Sequence, residues 1–277
     1  MPVRILLLGG LLLSGFAATG ITGWWWLTSG QPSPETELPI LPTPPLPWRI
    51  SQAPDYELCL AAVTEEPSQA IALAEAWKAR GGGEAATHCE ALAQVANGNP
   101  SSGAALLEAI ALGPTTEPTV RATVLSQAVQ GRLLARQPAR AMELATEALR
   151  LTPASTDLLI QRATAAKALG RRDLAIEDLT KALALDPARP DVLMMRASIL
   201  RALGRLDPAA KDLEQAISLA KDDPEILLER GILRQRMGNV SGARADWSRI
   251  LELDPDSEAA DLAEQNLALL DAGPPRR

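Results

Sequence analysis

The sequence predicts an all-α fold, an α-solenoid in which helix hairpins stack in a line. Three observations carry that prediction. First, 47% of the 277 residues are hydrophobic but only 3% are aromatic. The apolar bulk is therefore Ala and Leu, which favour helices, whereas sheets draw on Val, Ile, Tyr and Phe. Second, small and apolar residues recur every 34 positions through the second half of the chain. Third, Gly and Pro recur in the same register. A hairpin of that length cannot bury its apolar face alone, so its neighbours must cover it.

The elements follow in chain order. Residues 5–27 run for 23 positions without a charge, and about 20 apolar residues in a helix cross a bilayer. Arg4 precedes them, which keeps residues 1–4 cytoplasmic. Trp24, Trp25 and Trp26 close the stretch, where indoles settle among lipid headgroups. This reads as a transmembrane signal-anchor, with the rest of the chain exported. The alternative is a signal peptide with its apolar region at 5–16, cleaved near Ala18-Thr19-Gly20. In a Gram-negative cell the anchor gives a single-pass inner-membrane protein whose C-terminal domain faces the periplasm. Cleavage would release the domain into the same compartment.

Residues 28–54 form a Pro-rich linker, with eight Pro among residues 31–54. Proline lacks an N–H and fixes φ, so neither helix nor sheet is available. An extended tether or a docking strip for a partner fits this composition.

Residues 55–121 hold two degenerate helix pairs, at 55–79 and at 84–97 with 101–112. Gly81-Gly82-Gly83 is the turn between the pairs; a phosphate-binding loop would need a following Gly-Lys-Ser/Thr. Cys59 and Cys89 fall on the first helices of the two pairs. An oxidising compartment makes a disulfide between them the leading expectation, stapling the least regular end. Two buried thiols are the alternative. A metal site with His88 would have poor geometry, because Cys89 is its neighbour in sequence.

Residues 122–256 hold four regular units, 122–155, 156–189, 190–223 and 224–256. Leu125, Leu159, Leu193 and Leu227 share one position; Ala141, Ala175, Ala209 and Ala243 share another. Gly170, Gly204 and Gly238 end first helices, where a left-handed cap needs no Cβ. Pro153, Pro187 and Pro255 follow second helices. Ala163, Ala197 and Gly231 stand where two helices approach closely. Arg162, Arg196 and Arg230 recur with Asp178, Asp212 and Asp246, while the unit at 122–155 has Ala128 and Leu144 instead. Their joint presence and absence predicts structural ion pairs, within a unit or between neighbours. Residues 257–277 are a capping helix and tail.

At these residues the chain resembles the tetratricopeptide repeat family. It departs from the family pattern in its aromatics: Leu159, Leu193 and Leu227 stand at the first aromatic position, and Ala166, Leu200 and Arg234 at the second. Trp247 alone fills the aromatic slot of a second helix. The resemblance implies a right-handed superhelix whose first helices line a concave groove for an extended peptide or a partner helix. Residues placed in that ligand groove are Gln130, Gln161, Thr164, Lys167, Met194, Ser198, Arg201, Ile232 and Gln235. The family's Lys/Asn clamp for carboxy-terminal chaperone tails is not matched, because Ile160, Met194, Thr164 and Ser198 occupy its places.

Charge and chemistry narrow the function. The formal net charge is −7, and the charges before residue 51 cancel. An acidic body repels a phosphate backbone, so no nucleic-acid partner is expected. One His and two Cys leave little for nucleophilic or metal chemistry. The remaining acids are expected on solvent faces. No enzyme, cofactor, metal or small-molecule substrate is anticipated. The expected function is a membrane-tethered, periplasm-facing scaffold for protein–protein interaction. The alternative is an assembly or chaperone-like factor for an envelope complex, of the cytochrome-maturation or secretion type.

Overall fold

The computed structural model describes residues 50–113 and 118–272. The span at 5–27, the linker up to residue 49 and the tail at 273–277 lie outside the described residues. The described residues form thirteen helices and no strands. Six hairpins follow one another: α1 (Pro54–Glu65) with α2 (Pro67–Ala79), α3 (Gly83–Ala96) with α4 (Pro100–Ala111), and α5 (Pro118–Leu134) with α6 (Pro138–Leu151). Then come α7 (Thr156–Ala168) with α8 (Arg172–Leu185), α9 (Pro190–Ala202) with α10 (Leu206–Leu219), and α11 (Pro224–Arg236) with α12 (Val240–Leu253). The last helix is α13 (Glu258–Ala272). Pro54 belongs to α1 rather than to the linker, and α5 begins ahead of residue 122.

Each first helix packs on its own second helix, and each second helix packs on the next first helix. First helices also meet across hairpins, as in α1 with α3, α5 with α7, α9 with α11 and α11 with α13. This neighbour-only pattern is what a stack of hairpins requires. One continuous core runs from Tyr56 to Leu233. A second cluster gathers Leu227, Ala243, Ile250, Ala260 and Ala263 around Trp247. The recurrent Ala residues are fully buried at Ala141, Ala175, Ala209 and Ala243. A methyl side chain there lets the helices approach closely.

Helix ends follow from local chemistry. Proline opens α1, α2, α4, α6, α9 and α11, within the first turn, where an N–H has no intrahelical partner. Ser155, Asp223 and Asn239 cap α7, α11 and α12 through side-chain oxygens that accept backbone N–H bonds. Gly170, Gly204 and Gly238 have φ of 73°, 74° and 81°. The equivalent position in the preceding unit is Arg136, at φ 55°. A side chain therefore stands there in the left-handed region that glycine occupies in its neighbours.

Candidate functional site

The repeating Arg and Asp residues meet inside their own hairpins. Arg162 Nε and Nη2 donate to Asp178 Oδ2 and Oδ1 at 2.8 and 2.7 Å. Arg196 and Asp212 repeat the fork with the same distances. Arg230 does so with Asp246 at 3.1 and 2.7 Å. The carboxylates are buried, at 0, 6 and 3% exposure. Their hydrogen bonds are what keep burial of the charge tolerable. Asp178 raises the Arg162 guanidinium above its ordinary pKa, chiefly by that hydrogen bond. Two of the forks also reach the preceding hairpin. Arg196 Nη1 donates to Thr180 Oγ1 at 3.1 Å, and Glu214 pairs with Arg230 and Arg234 at 3.6 and 3.3 Å.

The hairpin α5–α6 lacks this fork, and its arginines pair instead with an acid of the preceding hairpin. Glu108 of α4 is buried and accepts from Arg132 Nε at 2.6 Å and from Arg140 Nη2 at 2.7 Å. The general expectation that acids fall on solvent faces fails at Glu108. Two arginines from α5 and α6 supply the counter-charge that permits its burial.

At the N-terminal end, a disulfide joins Cys59 of α1 to Cys89 of α3, with Cα atoms 6.2 Å apart. Beside it runs a buried polar strap. Tyr56 Oη lies 2.8 Å from His88 Nδ1, and His88 Nε2 lies 2.7 Å from Gln127 Oε1. Gln127 Oε1 can only accept, so Nε2–H donates to it and Nδ1 accepts from the tyrosine. The imidazole is then neutral with both nitrogens satisfied. Burial lowers its pKa to about 4, against the opposing pull of Gln127. The strap links α1, α3 and α5, the first helices of three successive hairpins. No sequence period announces it, because its members are 32 and 39 residues apart. Both His88 nitrogens and both cysteines are thus committed to structure.

A candidate binding region among the described residues is a cleft of about 350 Å³ along α7, α9, α11 and α13. Of the residues placed in a groove from sequence, Lys167, Met194 and Ser198 line it. Arg201 is not among the lining residues, and its Nε and Nη2 donate to Glu229 at 2.5 and 3.1 Å. Gln130, Gln161, Thr164, Ile232 and Gln235 are half-buried on the first helices but do not line the cleft. Gln161 accepts from Ser126 Oγ at 3.1 Å, and the Thr164 hydroxyl donates to Ile160 O at 2.9 Å. The cleft also takes in Met195 from α9, Glu225, Leu228 and Glu229 from α11, and Glu258, Ala259 and Leu262 from α13. Sequence reasoning missed these. A signal existed in the spacing, since Leu228 and Leu262 lie 34 and 68 residues after Met194. No cofactor-like constellation stands in this cleft; its chemistry is thioethers, leucines and carboxylates, suited to non-covalent contact.

Comparison with known proteins places this architecture. The tetratricopeptide repeat family model matches residues 156–189 and 190–223, the hairpins α7–α8 and α9–α10. None of the curated proteins matches the sequence. Among solved structures, PilF of Pseudomonas aeruginosa is similar over 77% of this chain and 95% of its own, at TM-score 0.61 and 16% identity. TTC0263, a thermophilic tetratricopeptide repeat protein of Thermus thermophilus, is similar over 67% of this chain and all of its own, at TM-score 0.55 and 22% identity. YrrB, described as a tetratricopeptide repeat protein with an unusual peptide-binding site, covers 70% of this chain and 97% of its own, at TM-score 0.54 and 16% identity. At these identities the likeness is one of fold. The chain carries tetratricopeptide repeats in an all-helical solenoid, an architecture that generally serves as a non-catalytic interaction scaffold.

Proposed function

We propose that this protein is a membrane-tethered scaffold that binds a peptide or helix of an envelope partner on its first-helix face. The observation that carries the reading is the cleft lined by Met194, Met195, Leu228 and Leu262. It gathers partly exposed apolar side chains from α9, α11 and α13 in one concavity, which is how a helical solenoid gains affinity for another chain. The similar fold of a protein described as having a peptide-binding site, YrrB, supports the reading. Export through residues 5–27 would put the array in an oxidising compartment, which agrees with the Cys59–Cys89 disulfide.

A photo-crosslinking residue at Met194 in the full-length chain, activated in intact cells, tests the binding role. One recurrent partner crosslinked from Met194, and not from a control at the exposed Glu177 on α8, supports a scaffold. Many unrelated clients would favour the assembly-factor alternative. Equal capture from both positions would contradict the cleft. Alkaline extraction of membranes tests the tether: retention supports an anchor at 5–27, and release contradicts it.

A further inference from the structure

We infer that the cleft selects a polypeptide segment carrying large apolar side chains with lysine or arginine beside them, and excludes acidic segments. This rests on the binding role proposed above and specifies its ligand. Two independent patterns lead to it.

The first is an apolar column. Ile160, Met194, Leu228 and Leu262 are each 34 residues apart and occupy one position on α7, α9, α11 and α13. The first three are partly buried and Leu262 is 39% exposed. The hairpin core is already filled by the fully buried neighbours Leu193 and Ile226 and by Ala163 and Ala263. Ile160, Met194 and Leu228 pack one side against that core and keep part of their surface open, and with exposed Leu262 they leave a strip of apolar surface running from hairpin to hairpin. A ligand lying along the stack can bury it.

The second pattern is charge. Glu225, Glu229 and Glu258 border the cleft, against Lys167 as its only lining cation among the described residues. Arg201 already satisfies Glu229. Glu225 and Glu258 are exposed and form no ion pair among the described residues. The free charge at the rim is thus two carboxylates to one ammonium, beside an apolar floor that shields it poorly from a bound chain. Like charge at such a rim repels, and opposite charge steers and selects. Guanidinium and ammonium groups of a ligand would meet Glu225 and Glu258, while its apolar side chains enter between Met194, Leu228 and Leu262.

Selection from a random linear peptide display library against the full-length chain tests this, with counter-selection on a Leu262→Asp variant shown by circular dichroism to keep its helical melt. Enriched peptides should combine large apolar residues with Lys or Arg. Their affinity should fall roughly tenfold or more in a Glu225→Lys/Glu258→Lys variant, and should weaken with added salt. Enrichment of acidic peptides, or affinities unmoved by the charge reversal, would overturn the inference and leave the cleft as a binding site of other chemistry. If no enriched peptide depends on Leu262, the cleft itself is not the binding site, and the reading on which the inference rests fails with it.

Discussion

A Cβ placed on Gly231 would collide with Trp247 Nε1, closer than any side chain tolerates. The indole, fully buried, therefore occupies the space that a side chain would take on α11. The same register holds Ala163 with Leu179 and Ala197 with Leu213, all fully buried. Where the second helix carries its largest residue, the first helix carries none. Gly231→Ala should force the indole out of place and cost about 1–3 kcal/mol. Thermal unfolding checks it, and adding Trp247→Leu should recover part of the loss, because leucine is what the two preceding hairpins use there.

The Arg–Asp forks should behave as buried pairs. Asp212→Ala strands Arg196, whose side chain is 20% exposed. Water reaches the guanidinium in part, so the expected cost is at the low end of the range for breaking such pairs, about 3 kcal/mol. Replacing both partners, as Arg196→Met with Asp212→Leu, should cost much less than the single change. Chemical denaturation of the wild type, Arg196→Met, Asp212→Leu and the double variant reads the coupling directly.

Stability should fall in mild acid through His88. Its folded pKa is lowered to about 4 by burial, and its unfolded value is about 6.5. Folding thus favours the neutral ring. As pH drops below about 6.5 the unfolded chain takes up a proton that the folded chain refuses until about pH 4. Over that window the loss amounts to about 3 kcal/mol. Melting temperatures measured across the window should slope downward with acid for the wild type. In a His88→Gln variant that part of the slope should vanish, whatever the variant's absolute stability.

Reducing the disulfide should loosen one end of the array. Cys59 and Cys89 close a loop with a sequence separation of 30, and such a cross-link is worth roughly 2–4 kcal/mol. Contacts in a stack reach only neighbours, so the effect should stay local. Hydrogen exchange of a Cys59→Ala/Cys89→Ala variant should show faster exchange in α1–α3 and unchanged protection in α7–α12.

How far the sequence is legible depends on period. The fold class follows from columns such as Leu159, Leu193 and Leu227, because each repeat solves the same packing problem with the same residue. The arginines and aspartates show a shared rhythm, but spacing cannot choose between a pair inside one hairpin and a pair between two. The tight turn after α7, α9 and α11 decides it by bringing residues 16 apart face to face. What breaks the rhythm is illegible. Tyr56, His88 and Gln127 meet only because the first three hairpins stack at their own irregular spacing. Glu108 reads as a surface acid until Arg132 and Arg140 are seen on either side. The cleft is an intermediate case: Met194 is recognisable alone, but Leu228 and Leu262 become its partners only once four first helices line up.

The central claim is that the Met194–Leu228–Leu262 face binds another chain. The most direct measurement is the affinity of the segment crosslinked at Met194, determined by titration against the wild type and a Leu228→Asp variant with an unchanged melt. A charge placed in a buried apolar contact should weaken binding at least tenfold. Equal affinity for the two proteins would contradict the account and place the interaction on another surface.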